Sequence, residues 1–524
     1  MFLIVYVNYN NMQIIYTKAF FLFAAIFFNV VTVTVVMGIL ENKERVKQSL
    51  LQSKLRESEL PFFPRFCSSR SIICYLVTLL LVSAVFLGHA LPFQFMVFGF
   101  VSVLLFFVYS NRQTMRWQQS DPSRFAKKVF ITSLLIRLVY VVFIYLYYIE
   151  MTGIPHMYHA ADSLWYHDMA SLWKEEGYET FMFWMSTTDF SETGYVWWLS
   201  LEYLLMGTNV LPSRLIKCLI DSFSCILIYS LARRSFGERP ARIAAVFYML
   251  MPNAWYYCGV TLKETEMAFL TILFVERADA AMRSHKIKLK DMLVPLLIIV
   301  VMFTFRTALA AVLAGALTAA LVLSSNKQMQ MWKKILFTGL FSVWMIATVG
   351  VELVQEAQMM WEGRAENQES GYQWRAEQEG GNAFAKYATA SIFAPMIFTM
   401  PFSSMVNVAN QENQMMLNGA NFIKNILSGF TIFALFILLF RREWRQHLLP
   451  LAVMWGYWVV LVFSNFAHSE RFHFPVLGFE LMFAAFGVSQ MTNRHKRWFS
   501  IWLIVICLVN FGWALIKLRG RGIA

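Results

Sequence analysis

The first candidate for chemistry is a short acidic and aromatic segment, residues 160–170 with the sequence AADSLWYHDMA. It follows a long apolar run, and its own apolar residues recur at helical spacing. The spacing leaves two interpretations of Asp162 open. The carboxylate could cap the N-terminus of a helix at the membrane surface, a common place for aspartate. It could instead serve as a general base held at that surface.

Two more polar segments stand at the start of apolar helices, residues 261–266 (TLKETE) and residues 468–475 (HSERFHFP). Ionisable residues at the lip of a transmembrane helix either snorkel to water or mark a polar cavity, and Lys263 fits both interpretations. Arg471 could bind a phosphate through two hydrogen bonds, with His473 beside it. The alternative is an interfacial aromatic belt with one snorkelling arginine.

Several familiar catalytic motifs are missing from the sequence. It contains no Walker A loop, no GxSxG elbow, no HExxH motif and no GxGxxG fingerprint. ATP-driven transport, serine hydrolysis and zinc proteolysis therefore have no support. The six cysteines form no CxxC pair and no Cys/His cluster, so we expect neither a disulfide nor a structural zinc.

Composition identifies the class of protein that must position these segments. The chain has 524 residues, of which 58% are apolar and only 15% charged, and its mean hydropathy is +0.51. A soluble protein could not bury so much apolar surface in its core, and a disordered chain or a disulfide scaffold would have a different composition. The sequence predicts an all-α polytopic membrane protein with about 12–14 transmembrane helices, the first at residues 14–40 and another at 335–354.

The net charge of +13 is interpreted as a sign of topology rather than of nucleic-acid binding. Most of the Lys and Arg residues lie in seven loop clusters, which the predicted spans place on one side, the cytoplasm. The acidic loops 150–214 and 355–420 are then external. Two apolar stretches inside them, 195–206 and 391–405, are predicted to be interfacial or re-entrant. The basic tail from Lys517 does not follow the pattern, because it falls on the external side.

The chain divides by these features into four sections. Residues 1–128 hold N-terminal spans with basic loops, and residues 129–354 a transmembrane core with the first external loop. Residues 355–420 form a polar external loop, and residues 421–524 the C-terminal spans. Intramembrane ionisable residues are few, among them Lys18, Arg137 and Asp221.

The order of the segments resembles the GT-C glycosyltransferases, a group that includes protein O-mannosyltransferases and lipid A aminoarabinose transferases. The matching features are an external loop with Asp162, an aromatic surface helix (GYVWWLSLEYLLMG), the stretch 211–270 with its LARRSFG turn, and ERFHFPVLGFELMFAAFG near the C-terminus. The last of these resembles the family's RY-x-x-P-x-x-P helix start, with Gly478 in place of the second proline. Where many members carry paired acids, this chain has Asp162 followed by Ser163.

The resemblance implies an inverting transferase that moves a sugar from a polyprenyl-phosphate donor to an acceptor hydroxyl. The acceptor would be a glycan, a lipid or a protein. Asp162 would be the general base, and Glu264 would orient the acceptor or help hold a divalent cation, the one cofactor left open. The predicted substrate-binding residues are Lys263, Arg471, His473, Arg214, Tyr166 and His167. Membrane lipids are the other expected partners, and no nucleic acid is expected.

We expect the protein in the bacterial inner membrane with the site facing the periplasm. Two other functions are weighed against this one. A polysaccharide polymerase or ligase would use a lipid-diphosphate glycan, and the long loop 355–420 suits it. A lipid-glycan flippase or transporter would line the middle of its spans with charges, whereas the acids and cations here gather at external helix ends.

Overall fold

The computed structural model describes residues 63–284, 289–323, 381–387, 390–464, 466–492 and 495–523, with positions 373, 376 and 377. These residues are helical apart from turns, short loops and one isolated bridge between Ala90 and Val406. The helices are α1 Arg65–Val85, α2 Phe93–Arg116, α3 Pro122–Thr152, α4 Ala161–Glu175, α5 Tyr178–Thr187, α6 Phe190–Met206, α7 Val210–Phe236, α8 Glu238–Leu250, α9 Pro252–Cys258, α10 Glu264–Met282, α11 Leu289–Phe305, α12 Thr307–Leu323, α13 Ala390–Met396, α14 Glu412–Met416, α15 Asn418–Phe440, α16 Leu448–Val462, α17 Glu470–Ser489 and α18 Lys496–Arg519.

Seven of the described helices are long and apolar enough to cross a membrane: α1, α2, α3, α7, α15, α17 and α18. Two shorter apolar stretches, Asp291–Phe305 in α11 and Thr307–Leu323 as α12, lie among them. The predicted all-α polytopic membrane fold is confirmed. The spans expected at 14–40 and 335–354, and Lys18 in the first of them, lie outside the described residues.

The surface helices α4 to α6 account for the first apolar stretch that was predicted not to span. Helix α6 turns Tyr195, Leu199 and Tyr203 into the protein and leaves Leu205 85% exposed. The second stretch contains only the short helix α13, which ends in a turn before an irregular segment. Neither stretch is among the candidate spans, so neither reverses the direction of the helices after it.

Hydrogen bonds join the helix ends that the predicted topology places on one side. Asn407 N–H donates to the His89 carbonyl (2.9 Å), which links the α1–α2 connection to the segment before α14. At the end of α18, Lys517 Nζ donates to the side-chain oxygens of Gln411 (2.7 Å) and Gln414 (2.9 Å). The basic C-terminal end of α18 therefore does lie beside the segment expected to be external, and buried polar partners accommodate its lysine.

One predicted span is broken in the structure. The run 241–257 was expected to be a single helix, but it divides into α8 and α9 at Met251, whose backbone is extended (φ −70°, ψ 118°). Pro252 follows at the first position of α9, and proline disfavours helical conformation in the residue before it. Because of this break, the chain reaches the turn at residues 259–263 while it is still buried among the helices.

The N-terminal helices pack on the C-terminal ones. Tyr75 on α1 donates to Asn418 Oδ1 on α15 (2.7 Å), and Asn418 Nδ2 donates to the Phe95 carbonyl on α2 (2.8 Å). Beside this contact α2 and α15 approach so closely that a Cβ on Gly419 would lie 2.3 Å from the Gly99 carbonyl oxygen. Small residues permit such close helix crossings in membrane proteins.

The intramembrane residues Arg137 and Asp221 form a closed pair. Arg137 Nη2 lies 2.6 Å from Asp221 Oδ2, and both side chains are fully buried. Tyr248 donates to the other carboxylate oxygen (2.6 Å), and Ser133 accepts from the guanidinium (2.5 Å). Since protein groups on α3, α7 and α8 satisfy both charges, the pair links these three helices inside the protein.

Candidate active site

Arg471 links the two carboxylates that the sequence analysis selected. Its Nη1 donates to Asp162 Oδ2, and its Nε donates to Glu264 Oε1. The two carboxylates differ in exposure, because the Asp162 side chain is 57% exposed whereas that of Glu264 is fully buried. One acid is therefore open to a molecule outside the protein, and the other fixes the guanidinium from within.

Asp162 lies in the first turn of α4 and does not cap it, so of the two interpretations that the sequence left open the capping one is wrong. Helix α4 begins after Ala160, which makes no side-chain capping hydrogen bond. Ser163 bonds to His156 Nδ1 (2.9 Å), in the loop that precedes the helix. The carboxylate of Asp162 therefore makes no capping bond to this helix and lies toward α17, where it accepts a charge-assisted hydrogen bond from the guanidinium of Arg471.

A second arginine approaches Glu264 from the junction of α11 and α12. Arg306 Nη2 lies 3.8 Å from Glu264 Oε1, and its Nη1 donates to the Tyr457 hydroxyl (3.1 Å). Phe472 contacts both guanidinium groups, with its ring centroid 4.5 Å from Cζ of Arg306 and 5.7 Å from that of Arg471. The loosely paired Arg306 can turn to an anion without breaking a short carboxylate contact.

The third cation of the site, Lys263, pairs with an acid on α6. Lys263 Nζ lies 2.5 Å from Glu192 Oε2 and donates to the carbonyls of Phe305 (2.7 Å) and Ser191 (3.1 Å). Burial lowers the pKa of Lys263 to about 8, and the Glu192 carboxylate opposes that shift. The hydroxyl of Tyr166, one turn after Asp162, donates to the same carboxylate oxygen. Helices α4, α6 and α10 thus meet at Glu192.

The site brings together three carboxylates and three cations from five parts of the chain. Each carboxylate has a cationic partner, so the charges balance before any substrate binds. An anionic group that enters would compete with the carboxylates for the guanidinium and ammonium groups. The partly exposed members, Asp162 and Glu192, are those best placed to be displaced.

Two stretches of the chain match known protein families. Residues 193–351 match the family described as dolichyl-phosphate-mannose-protein mannosyltransferase, and residues 416–520 match the Alg9-like mannosyltransferase family. Both belong to the same superfamily. In these two stretches the chain is similar to GT-C glycosyltransferases. A search of curated proteins finds no significant match.

The two matched stretches contain four of the six charged residues of the site. The first contains Lys263, Glu264 and Arg306, and the second contains Arg471. Asp162 and Glu192 precede both stretches, so only the geometry around them bears on their roles. The contact of Asp162 with Arg471 joins a residue outside the matched regions to one inside them.

Three of the predicted substrate-binding residues lie elsewhere in the structure. His167 Nδ1 bonds to the Tyr203 hydroxyl (2.8 Å) on α6. His473 is buried, with Nε2 donating to the Ala467 carbonyl (2.7 Å). Arg214 is also buried, and Nη2 donates to the Pro155 carbonyl at 2.5 Å. The structure does not bring these three side chains to the carboxylates that Arg471 links.

Sequence reasoning missed Glu192 and named Arg306 only as one of several isolated external cations, the pattern that an anion site needs. Glu192 is one acid among several in loop 150–214, and no spacing distinguishes it from the others. The signal for Arg306 was present, since it is an isolated cation at a predicted external helix end. Its proximity to Glu264, which follows from the packing of α10 against α11, could not be deduced from that position alone.

A divalent cation does not fit the carboxylates as they stand. Asp162 and Glu264, the two candidate ligands, both bind the guanidinium of Arg471, which occupies the space between them. Among the described residues, no group of three or more His, Cys, Asp or Glu side chains has metal-binding geometry. The side chains of Asp162, Glu264 and the three cations are therefore the groups considered for the reaction.

Proposed function

We propose that the enzyme transfers a sugar from a polyprenyl-phosphate donor to an acceptor hydroxyl, with Asp162 as the general base. Mannose is the first sugar to test, because both matched families are named for it. The observation that carries the proposal is the pair of acids, one exposed and one buried, on a single arginine with two more cations nearby. The phosphate of a lipid-linked donor lies at the membrane surface, which is also where the helix ends place these acids and cations.

In the proposed reaction, a carboxylate oxygen of Asp162 takes the proton from the acceptor hydroxyl. The hydroxyl oxygen attacks C1 of the sugar from the face opposite the phosphate, and the bond from C1 to the phosphate oxygen breaks with inversion. Polyprenyl phosphate leaves with the bonding electron pair. Cations that contact its oxygens as negative charge develops lower the barrier.

Arg471 and Arg306 are the proposed contacts of the donor phosphate, with Lys263 behind them. In the structure Arg471 pairs with Asp162. A donor phosphate gives the guanidinium of Arg471 a second anion to bind, and Asp162, released from that contact, can turn to the acceptor hydroxyl. Glu264, fully buried on the other side, keeps Arg471 in place during this exchange.

We place this chemistry on the external side of the membrane, facing the periplasm if the protein is bacterial. The support is the distribution of charge: among the described residues, the basic clusters after α7, α10 and α15 lie at the helix ends opposite the site. At those opposite ends, for example, Arg234 binds Glu276 (2.7 Å) and Arg242 donates to the Trp117 carbonyl (2.6 Å).

The direct test supplies membranes with radiolabelled donor. Membranes from cells with and without the gene would receive polyprenyl-phosphate mannose, and label would be followed into protein, lipid and glycan fractions. We expect gene-dependent transfer that Asp162→Asn abolishes. Gene-dependent transfer from a lipid-diphosphate oligosaccharide, with none from the monophosphate donor, would contradict the proposal and favour a polymerase or ligase.

A further inference from the structure

We propose that two buried cations on α7, Arg214 and Lys217, are positioning residues that set the geometry of the site. They lie one turn apart near the start of α7 and both reach the turn at residues 259–263, which leads into Glu264. This inference rests on the proposed function, in which Glu264 and its neighbours act on the donor.

Lys217 holds the backbone of this turn directly. Its Nζ donates to the carbonyls of Val260 (3.2 Å) and Leu262, the residues on either side of Thr261. Lys217 is only 1% exposed, and its ammonium lies 4.9 Å from the ring centroid of Tyr195 on α6. A protonated amine with two carbonyl acceptors fixes their spacing, because each bond restrains the other.

Arg214 joins the same turn to the loop that carries the base. Its Nη2 donates to the Thr261 hydroxyl (3.1 Å) and to the carbonyl of Pro155 (2.5 Å), which lies in the segment leading to α4. One guanidinium nitrogen therefore ties the approach to Asp162 to the approach to Glu264. Arg214 therefore restrains the two segments that lead to Asp162 and Glu264, although its side chain contacts neither carboxylate.

The buried charge on Lys217 is balanced by an acid of its own. Glu266 Oε2 lies 3.4 Å from Lys217 Nζ. Burial and, to a lesser extent, the nearby Glu266 raise the pKa of Glu202 on α6 to about 8, so Glu202 is mostly neutral at pH 7. The two carbonyl bonds of Lys217 do not pass through either acid.

The contacts of Lys217 with Glu266 and with the two carbonyls suggest a matched pair of variants. Glu266→Gln alone leaves the ammonium on the carbonyls, and we expect kcat within about twofold of wild type. Lys217→Met combined with Glu266→Gln removes the ammonium without leaving a buried unpaired carboxylate. We expect this double variant to fold, to keep its donor KM within about threefold, and to lose roughly 100-fold in kcat, since small misplacements of reacting groups cost about that much.

A milder variant covers the case in which the double variant does not fold. Thr261→Val replaces the hydroxyl that Arg214 binds with a methyl group of similar size. We expect a loss of roughly tenfold in kcat with an unchanged melting temperature, because one of several restraints on the turn is removed. Wild-type kcat in Thr261→Val, or in a folded double variant, would overturn the positioning role.

Hydrogen exchange followed by mass spectrometry separates this inference from the proposed function. The peptide covering residues 255–266 should exchange faster in the double variant and in Thr261→Val than in wild type or in Glu266→Gln, whether or not any sugar is transferred. Unchanged exchange in this peptide would contradict the restraint itself. Faster exchange in a wild-type protein that fails to use polyprenyl-phosphate mannose would instead overturn the proposed function and keep the restraint.

Discussion

Arg471 and Asp162 lie 309 positions apart in the sequence, and the guanidinium of the first donates a hydrogen bond to the carboxylate of the second. This contact brings the start of α17 to the start of α4. The proposed base and the proposed phosphate-binding arginine are therefore direct partners, and a donor phosphate would compete with Asp162 for the guanidinium.

The first prediction concerns the base. Asp162→Asn removes the proton acceptor but keeps the side-chain volume, so we expect kcat to fall by roughly 10²–10⁴-fold with unchanged expression and melting temperature. Asp168→Asn, an exposed change on the same helix, is the matched control and should stay near wild-type activity. Full activity in Asp162→Asn, measured with labelled donor, would remove Asp162 from its assigned role.

The second prediction concerns the donor phosphate. Arg306 has a carboxylate contact of 3.8 Å and a neutral partner in Tyr457, so Arg306→Gln leaves no closely paired buried carboxylate without a cation. We expect the donor KM to rise by roughly tenfold or more, because a charge-assisted contact with the phosphate is lost. Arg442→Gln, an exposed change at the opposite end of the bundle, is the control. Donor kinetics that are equal in the two variants would exclude Arg306 from the phosphate site.

The third prediction is a pH dependence set by Lys263. With the pKa of Lys263 lowered to about 8, the ammonium is charged below that pH and neutral above it. If its charge assists departure of the phosphate, kcat/KM falls as the pH rises through about 8. Lys263→Arg should move this alkaline limb to higher pH. Glu192→Gln should move it to lower pH, because the carboxylate that opposes the shift is gone. An alkaline limb that stays in place in both variants would show that another group titrates.

The fourth prediction concerns stability within the bundle. Asp221→Asn leaves Arg137 charged and fully buried, and we expect a loss of about 3–5 kcal/mol in the free energy of unfolding. The double variant Arg137→Met with Asp221→Leu should recover most of that loss. Glu412→Gln, which breaks the partly exposed pair with His159, should cost less than about 1 kcal/mol. Thermal unfolding in detergent measures all three, and equal losses for Asp221→Asn and Glu412→Gln would contradict the argument.

The fifth prediction tests the side of the membrane. Asp168→Cys, beside the site, should react with a membrane-impermeant maleimide added to intact cells or spheroplasts. Arg441→Cys, at the other end of α15, should react only after the membrane is opened. Both positions are exposed, so access to the reagent rather than burial decides the result. The reverse labelling pattern would place the site in the cytoplasm.

Much of the architecture could be predicted because the membrane imposes simple rules. Apolar runs become helices, since backbone polar groups need partners inside the helix when no water is present. The α3, α7 and α15 helices follow in this way, as does the alternation that places Asp162, Lys263 and Arg471 at one end. The prediction failed where backbone detail decided the outcome, as in the unbroken span expected across Met251. The sequence also left open whether Asp162 caps α4, and the structure excludes it.

Composition and periodicity were enough to predict the class of protein, the helical fold and the candidate segments, because they report on the solvent around each helix. The pairing of each acid with its cation became known from the packing of the helices. Glu192 pairs with Lys263, Arg306 lies near Glu264, and Arg214 is directed into the protein, where it binds the Pro155 carbonyl. These pairings depend on how separate helices pack across the bundle, and no local pattern in the chain encodes a contact between residues hundreds of positions apart.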